Sequence, residues 1–319
     1  MAERADPLRS YRVAGEASAE AALAASADST RNDSDDAVRA VVDAALSDVE
    51  IEGDGGAGQP QGRTAAFFDI DNTIMRGASF FQLARGAYAR RLLSRGDLVG
   101  FARDQIKFMF EGTEETDVMV EATEAALAFA RGRTVEEIVE LGESIYDEGI
   151  EGKIWPGTLS LAQQHLDGDE RVWLISATPV ELARVIATRL GLTGAMGTVS
   201  EIQDGVYTGR LVGRPMHGVA KAAAVRALAA REGLDLSRCH AYSDSYNDLP
   251  MLTVVGHPVA VNPDAQLRQA AIENRWPIYD FRSRRLWVRY QMPALVGGAV
   301  AAGVVLGAAG MAIAQRGEG

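Results

Sequence analysis

Cysteine is nearly absent from this chain: Cys239 is the single one in 319 residues. One thiol excludes an intrachain disulfide and a thiolate metal cluster, and it suits a reducing compartment. Met1 is followed by no basic start and apolar stretch, so no secretory signal peptide is expected. Basic charge is also short, with 32 Lys and Arg against 44 Asp and Glu and a net charge of −12. Without a strongly basic domain, nucleic acid is not an expected partner. The imbalance is uneven. Residues 1–62 hold 13 acidic and 5 basic side chains and no aromatic beyond Tyr11. Such a segment buries too little apolar surface to offset its ordering entropy, so 1–62 reads as a disordered acidic tail and linker. One helical stretch, 36–49, is expected within it. Histidine is scarce too: His165, His217, His240 and His257 are scattered without metal-ligand spacing and read as structural.

What remains is apolar enough, at 47%, for one sizeable α/β domain with additions. Its organising stretch is Phe67-Phe68-Asp69-Ile70-Asp71-Asn72-Thr73. The run 65–68 lacks polar alternation, which predicts a strand covered on both faces, as in a parallel sheet. Asp69 and Asp71, two residues apart, share one face of an extended chain. At the carboxyl end of such a strand they enter the crevice where open α/β sheets bind ligands. Two carboxylates that close repel unless a cation joins them, and Mg²⁺ is the hard, oxygen-seeking candidate. Taken alone, the stretch is equally a turn capped by Asp69.

From 80 to 154 the pattern is helical throughout, with helices expected over 80–95, 98–110, 116–129 and 135–150. This reads as a helical cap inserted after the first strand. The α/β core is then 63–79 and 155–281. A strand over 172–175 ends at Ser176-Ala177-Thr178-Pro179, and a helix over 181–190 follows with Pro179 suited to its first position. Asp204-Gly205 marks a hairpin within 199–211. A helix over 219–232 carries Lys221 in its first turn. A strand over 239–242 leads to Ser243-Asp244-Ser245-Tyr246-Asn247-Asp248. Further strands at 259–261 and 278–279 flank a helix over 264–274. The alternation predicts a doubly wound, Rossmann-like parallel sheet. In it the strand ends carrying Asp69, Asp71, Ser176 and Asp244, Asn247 and Asp248 converge on one edge, with Lys221 leaning over it. Carboxylates for a cation, a hydroxyl and an ammonium are what a phosphate-handling site needs.

The order of these groups resembles the haloacid dehalogenase superfamily of phosphohydrolases over about residues 64–281. The motifs are Asp69-Ile70-Asp71-Asn72-Thr73, Ser176 after an apolar strand, Lys221, and Ser243-Asp244-Ser245-Tyr246-Asn247-Asp248. The phosphoserine-phosphatase-like branch, subfamily IB, carries its helical cap in the same place. The resemblance implies a two-step mechanism in which Asp69 attacks phosphorus and an aspartyl-phosphate is then hydrolysed. Asp71 would serve as acid and then base. Mg²⁺ would be held by the Asp69 and Asp244 carboxylates and the Asp71 carbonyl. Thr73, Ser176, Ala177, Lys221 and Asn247 would bind the substrate phosphate. Asp248 would orient Lys221 or a water, or else cap the helix starting near 249.

Departures from the branch bear on the substrate. Asn72 stands where phosphoserine phosphatases carry Ser, and Met75-Arg76-Gly77-Ala78-Ser79-Phe80-Phe81 lacks the acid that would meet an amino group. A phosphomonoester other than phosphoserine is therefore the expectation, with phosphoserine as the alternative. The first Asp is not followed by Lys-Thr-Gly, which argues against an ion-pumping ATPase of the same superfamily.

At the C-terminus, Arg282, Arg284, Arg285 and Arg289 precede an uncharged run, 294–314. As a helix it would span about 31 Å, close to the hydrocarbon thickness, with the basic cluster holding the enzyme on the cytoplasmic face. A lipid-linked phosphate then joins small-molecule phosphates as a candidate substrate. The run is rich in Ala and Gly, and a flexible tail is the competing reading. An alternative of another class is a membrane-anchored, non-catalytic interaction protein on the same scaffold.

Overall fold

The computed structural model of the chain describes residues 63–93, 123–124 and 127–282. The acidic tail, the expected helix at 98–110, most of that at 116–129 and the candidate span 294–314 lie outside the described residues. Among the described residues, no helix is long and apolar enough to cross a membrane.

The sheet grows from β1 (Ala65–Phe68), all four residues of which are buried. Ala66 and Phe68 join one apolar cluster while Ala65 and Phe67 join another. Both faces of the strand are thus covered, which is why its sequence shows no alternation. Beside β1 lie β2 (Arg171–Pro179) and β6 (His240–Ser243), and the order β3-β2-β1-β6-β7-β8 completes six strands. Every pairing in this sheet is parallel. β3 is Gly194–Thr198, β7 His257–Val261 and β8 Ile278–Tyr279. The chain winds outward from β1 in one direction through β2 and β3, then returns to its other side for β6. That reversal opens a crevice at the carboxyl ends of β1 and β6.

The described helices before β6 are α1 (Ser79–Ala89), α2 (Val135–Ile145), α3 (Pro156–Asp167), α4 (Val180–Arg189) and α5 (Val219–Glu232). After β6 come a single turn, α6 (Leu249–Leu252), and α7 (Ala265–Glu273). Thr134 and Glu137 form a reciprocal capping box at the start of α2, satisfying two otherwise unpaired amides. Helix α2 does not run to 150 as its periodicity predicts. It passes into a π-turn at Tyr146–Ile150 and a 3₁₀ turn at Glu151–Lys153. Asp204-Gly205 joins β4 (Ser200–Gln203) to β5 (Val206–Leu211) in the expected antiparallel hairpin.

Two differences from the expected elements have local causes. β2 runs past 175 to Pro179, which pairs with Thr198 beyond an irregularity in the ladder, so Pro179 precedes α4 rather than opening it. β3 has no apolar signature because its neighbours leave no room. A Cβ on Gly194 would stand 2.6 Å from the Trp173 ring, and one on Gly197 would stand 2.5 Å from the Thr178 carbonyl oxygen.

Gly256, just before β7, is the tightest such approach: a Cβ there would lie 1.7 Å from the Ser237 carbonyl oxygen. Only backbone movement relieves that contact. Gly256→Ala should therefore cost about 1–3 kcal/mol or more, read as a lower urea midpoint with an unchanged slope.

Candidate active site

Asp69 leaves the end of β1 with its amide donating to the Tyr242 carbonyl of β6 at 3.0 Å. This fixes the first carboxylate over the crevice, where it is 5% exposed. Lys221, 152 residues away in sequence, enters from the first turn of α5, and its Nζ donates to Asp69 Oδ1 at 2.5 Å. The same ammonium donates to Asp248 Oδ2 at 2.7 Å, and that oxygen also accepts the Ser243 hydroxyl at 2.7 Å. Asp248 makes no side-chain cap on α6, so its bonds are spent on Lys221 and Ser243. The entry into α5 needs Gly218, whose φ of 51° and ψ of −114° disfavour any residue with a side chain.

Asp71 is anchored from the other side. Its Oδ1 accepts the Ser79 amide at 2.8 Å. From Ser79 a ladder of hydroxyls runs to the end of β2: Ser79 Oγ lies 2.5 Å from Thr178 Oγ1, which lies 2.8 Å from Ser176 Oγ. All three residues are buried. Asp244 follows β6, and its Oδ1 accepts the Thr73 hydroxyl at 3.4 Å. Asn72 adopts a φ of 56° and its Oδ1 accepts the Gly77 amide at 2.9 Å, shaping the turn after Asp71. The Ala177 carbonyl accepts the Thr198 hydroxyl at 2.7 Å. Asn247 sits on the 3₁₀ turn Tyr246–Asp248 with an exposed side chain.

The bonds fall into three sets: Asp69, Lys221, Asp248 and Ser243; Asp71, Ser79, Thr178 and Ser176; and Asp244 with Thr73. The charges of Asp71, Asp244, Asp248 and Lys221 all act on Asp69. Ala177, near the end of β2, and Asn247, on the 3₁₀ turn after β6, stand outside these bonds. Sequence reasoning missed Ser79, Thr178 and Ser243. Thr178 stands two residues beyond Ser176 on an extended chain, so alternation placed it on the same face. Ser79 carried no signal.

Electrostatically the site holds more acid than it can ionise. Burial pushes Asp69 well above the ordinary carboxylate range, opposed by Lys221 and reinforced by Asp248, Asp244 and Asp71. Burial also raises Asp71, against the hydrogen bonds from Ser79. Asp244 is pushed up to about 7 by burial and by Asp248. Burial pulls Lys221 down, but Asp248 and Asp69 outweigh it and hold the ammonium charged. One fixed cation among Asp69, Asp71, Asp244 and Asp248 leaves an excess of hard oxygen donors. A divalent cation of the Mg²⁺ class fits this donor set.

Known proteins share this chain's sequence and architecture. A family model described as haloacid dehalogenase-like hydrolase matches residues 66–253. A putative hydrolase of Mycobacterium leprae is 52% identical over 271 residues, covering 83% of this chain and 90% of that protein. A Mycobacterium tuberculosis protein named phosphoserine phosphatase SerB1 is 54% identical over 250 residues, covering 78% of this chain and 79% of that one. A crystal structure of a Bordetella pertussis protein of unknown function superposes with a TM-score of 0.62 at 27% identity, covering 69% of this chain and 99% of that one.

The charge excess generates a pH prediction. Asp244 titrates near 7 in the folded chain against an ordinary 3.8, so the stability it contributes is present below the unfolded value and lost as pH rises through about 7. His240, lowered to about 4, acts in the opposite direction between about 4 and 6.5, so the variant must be compared with the wild type. In EDTA, Asp244→Asn should gain urea stability relative to wild type on going from pH about 5 to about 8. Added Mg²⁺ should reverse that order, since only the wild type keeps the full ligand set.

Proposed function

The chain belongs to the haloacid dehalogenase-like hydrolases and is a phosphatase of that family, and we propose that it cleaves a phosphomonoester with Mg²⁺ through a phosphorylated Asp69. The observation that carries this reading is the Asp69–Lys221–Asp248 triad, buried at the carboxyl ends of β1 and β6.

In the first step an Asp69 carboxylate oxygen bonds to phosphorus while the ester P–O bond breaks. The leaving oxygen takes the proton held by Asp71, whose burial keeps that proton available. In the second step Asp71, now ionised, removes a proton from water as the water oxygen bonds to phosphorus. The acyl-phosphate bond breaks, Asp69 is restored and inorganic phosphate departs. Lys221 and Ser176 bind the transferred phosphoryl oxygens, with Ala177 near the end of β2 and Thr73 and Asn247 on the surrounding turns. Mg²⁺, held by Asp69, Asp244 and the Asp71 carbonyl, would supply neutralisation of phosphate charge. Asp248 keeps Lys221 oriented and charged.

Two readings of the substrate compete. The relative named phosphoserine phosphatase supports phosphoserine. Against it, the stretch 75–81 after the acid pair holds no carboxylate to meet an amino group, and its one charged residue is Arg76. Arg76 donates to the Gly152 carbonyl at 3.0 Å and lies over the Trp155 ring. We favour a phosphomonoester without a free amine at that position. A lipid-linked phosphate, with the enzyme held at the cytoplasmic face of a membrane by 294–314, extends the same reading. It is supported by the length of the uncharged run and the arginines before it. The non-catalytic scaffold alternative is disfavoured by the intact acid cluster.

With Mg²⁺, the full chain should release phosphate from an aryl phosphate and from at least one member of a phosphomonoester panel including phosphoserine. Asp69→Asn should lower kcat by about 10³-fold or more while thermal unfolding shows it folded. A folded, Mg²⁺-binding wild type silent across the panel would favour the scaffold. Phosphoserine as the best substrate by kcat/KM would overturn the substrate preference alone.

A further inference from the structure

The catalytic groups occupy the carboxyl ends of the strands, but a second cluster of ionisable groups lies at their amino ends. His240 opens β6 and His257 opens β7, directly opposite each other in the ladder. Their rings stack with centroids 4.7 Å apart. His165, in the last turn of α3, brings its ring to 4.7 Å from that of His240. Glu170, just ahead of β2, contacts His165 Nδ1 through Oε2. One candidate ligand atom from each of His165, Glu170 and His240 lies within 4.8 Å of the other two. Ligands each about 2.1 Å from one ion stand up to about 4.2 Å apart, so small side-chain rotations close the set.

Two independent features favour an ion here. Nδ1 of His240 is buried without a hydrogen-bond partner, a state that buried polar atoms rarely keep. The outward atoms of the other two residues are already held: His165 Nε2 lies 2.7 Å from the Tyr242 hydroxyl, and Glu170 Oε1 accepts the Thr64 hydroxyl at 3.0 Å. Outer hydrogen bonds of this kind orient imidazole and carboxylate ligands toward a metal.

We propose that His165, Glu170 and His240 form a binding site for a Zn²⁺-class divalent ion at the amino-terminal edge of the sheet, distinct from the acid cluster. Two imidazoles and one carboxylate suit a borderline transition ion, whereas Mg²⁺ takes oxygen donors in a near-octahedral shell. The protonation states agree. Burial and the neighbouring His165 and His257 lower His240 to about 4, leaving its ring neutral near neutral pH. Burial would raise Glu170, but hydrogen bonds from His165 and Thr64 outweigh it and favour the carboxylate. The ion would tie the end of α3 and the start of β2 to the start of β6, with a fourth position open to water.

The test is equilibrium dialysis of the full chain against Zn²⁺ in excess Mg²⁺, which keeps the acid cluster occupied, followed by metal analysis. Wild type and Asp244→Asn should each retain one equivalent of Zn²⁺, while His240→Phe and Glu170→Gln should retain none. Tyr242→Phe should weaken binding about 10-fold through the loss of its bond to His165. X-ray absorption on the zinc-loaded wild type needs no variant and should show two imidazole nitrogens in the ligand shell. No retained zinc in the wild type, an all-oxygen shell, or full retention by a folded His240→Phe would each overturn the site.

Discussion

Every part of the catalytic edge answers to one constraint: a buried ammonium shared by two carboxylates, with two further carboxylates close by. Lys221 touches Asp69 and Asp248 at 2.5 and 2.7 Å in surroundings almost without solvent. Desolvating such groups costs several kcal/mol per ion, and the mutual attraction repays it only where geometry and extra hydrogen bonds are good. That explains the ancillary donors: Ser243 on Asp248, the Ser79 amide on Asp71, and Thr73 toward Asp244. Even so, the acids outnumber the bound cation. A cluster arranged this way is poor as a stabilising device and well suited to receiving a divalent ion together with a phosphate.

The fold bears that burden by making its strands apolar on both faces. Phe68 and Ile70, on either side of Asp69, are fully buried, as are Leu174 and Ile175 on β2. Phe68 stacks on Tyr242 with ring centroids 4.1 Å apart, locking β1 to β6 immediately before the point where Asp69 emerges. Rigid strand ends hold reacting groups in place more closely than loops can, at no ordering cost when substrate binds.

The parts legible in the sequence are those whose physics is local. The unbroken apolar run before Asp69, the two-residue spacing to Asp71 and the Asp204-Gly205 hairpin each point to one backbone geometry. What escaped reading depends on neighbours distant in the chain. Gly194 and Gly197 look like loop residues, yet they form an edge strand because Trp173 and the Thr178 backbone occupy the space a side chain would take. Ser79 lies 99 residues from Thr178, and no periodicity announces the bond between them. The histidines look scattered for the same reason. Parallel pairing of β6 with β7, and the return of α3 into β2, bring three of the four rings together.

Both edges of the sheet meet in Tyr242. Its carbonyl accepts the Asp69 amide, and its hydroxyl reaches His165. The residue therefore touches Asp69 through its backbone and the imidazole cluster through its side chain. Contact of this kind is not coupling, which requires an element with two arrangements that both sites bias. β6 is paired on both sides along its length, and Tyr242 is stacked and 4% exposed, so the strand offers one arrangement. The strand separates two clusters of different chemistry: hard oxygen donors gather where the strands end, imidazoles where they begin. On the proposed readings, a strand's length and the type of ligand would keep the two cations apart, each cluster favouring its own class of ion.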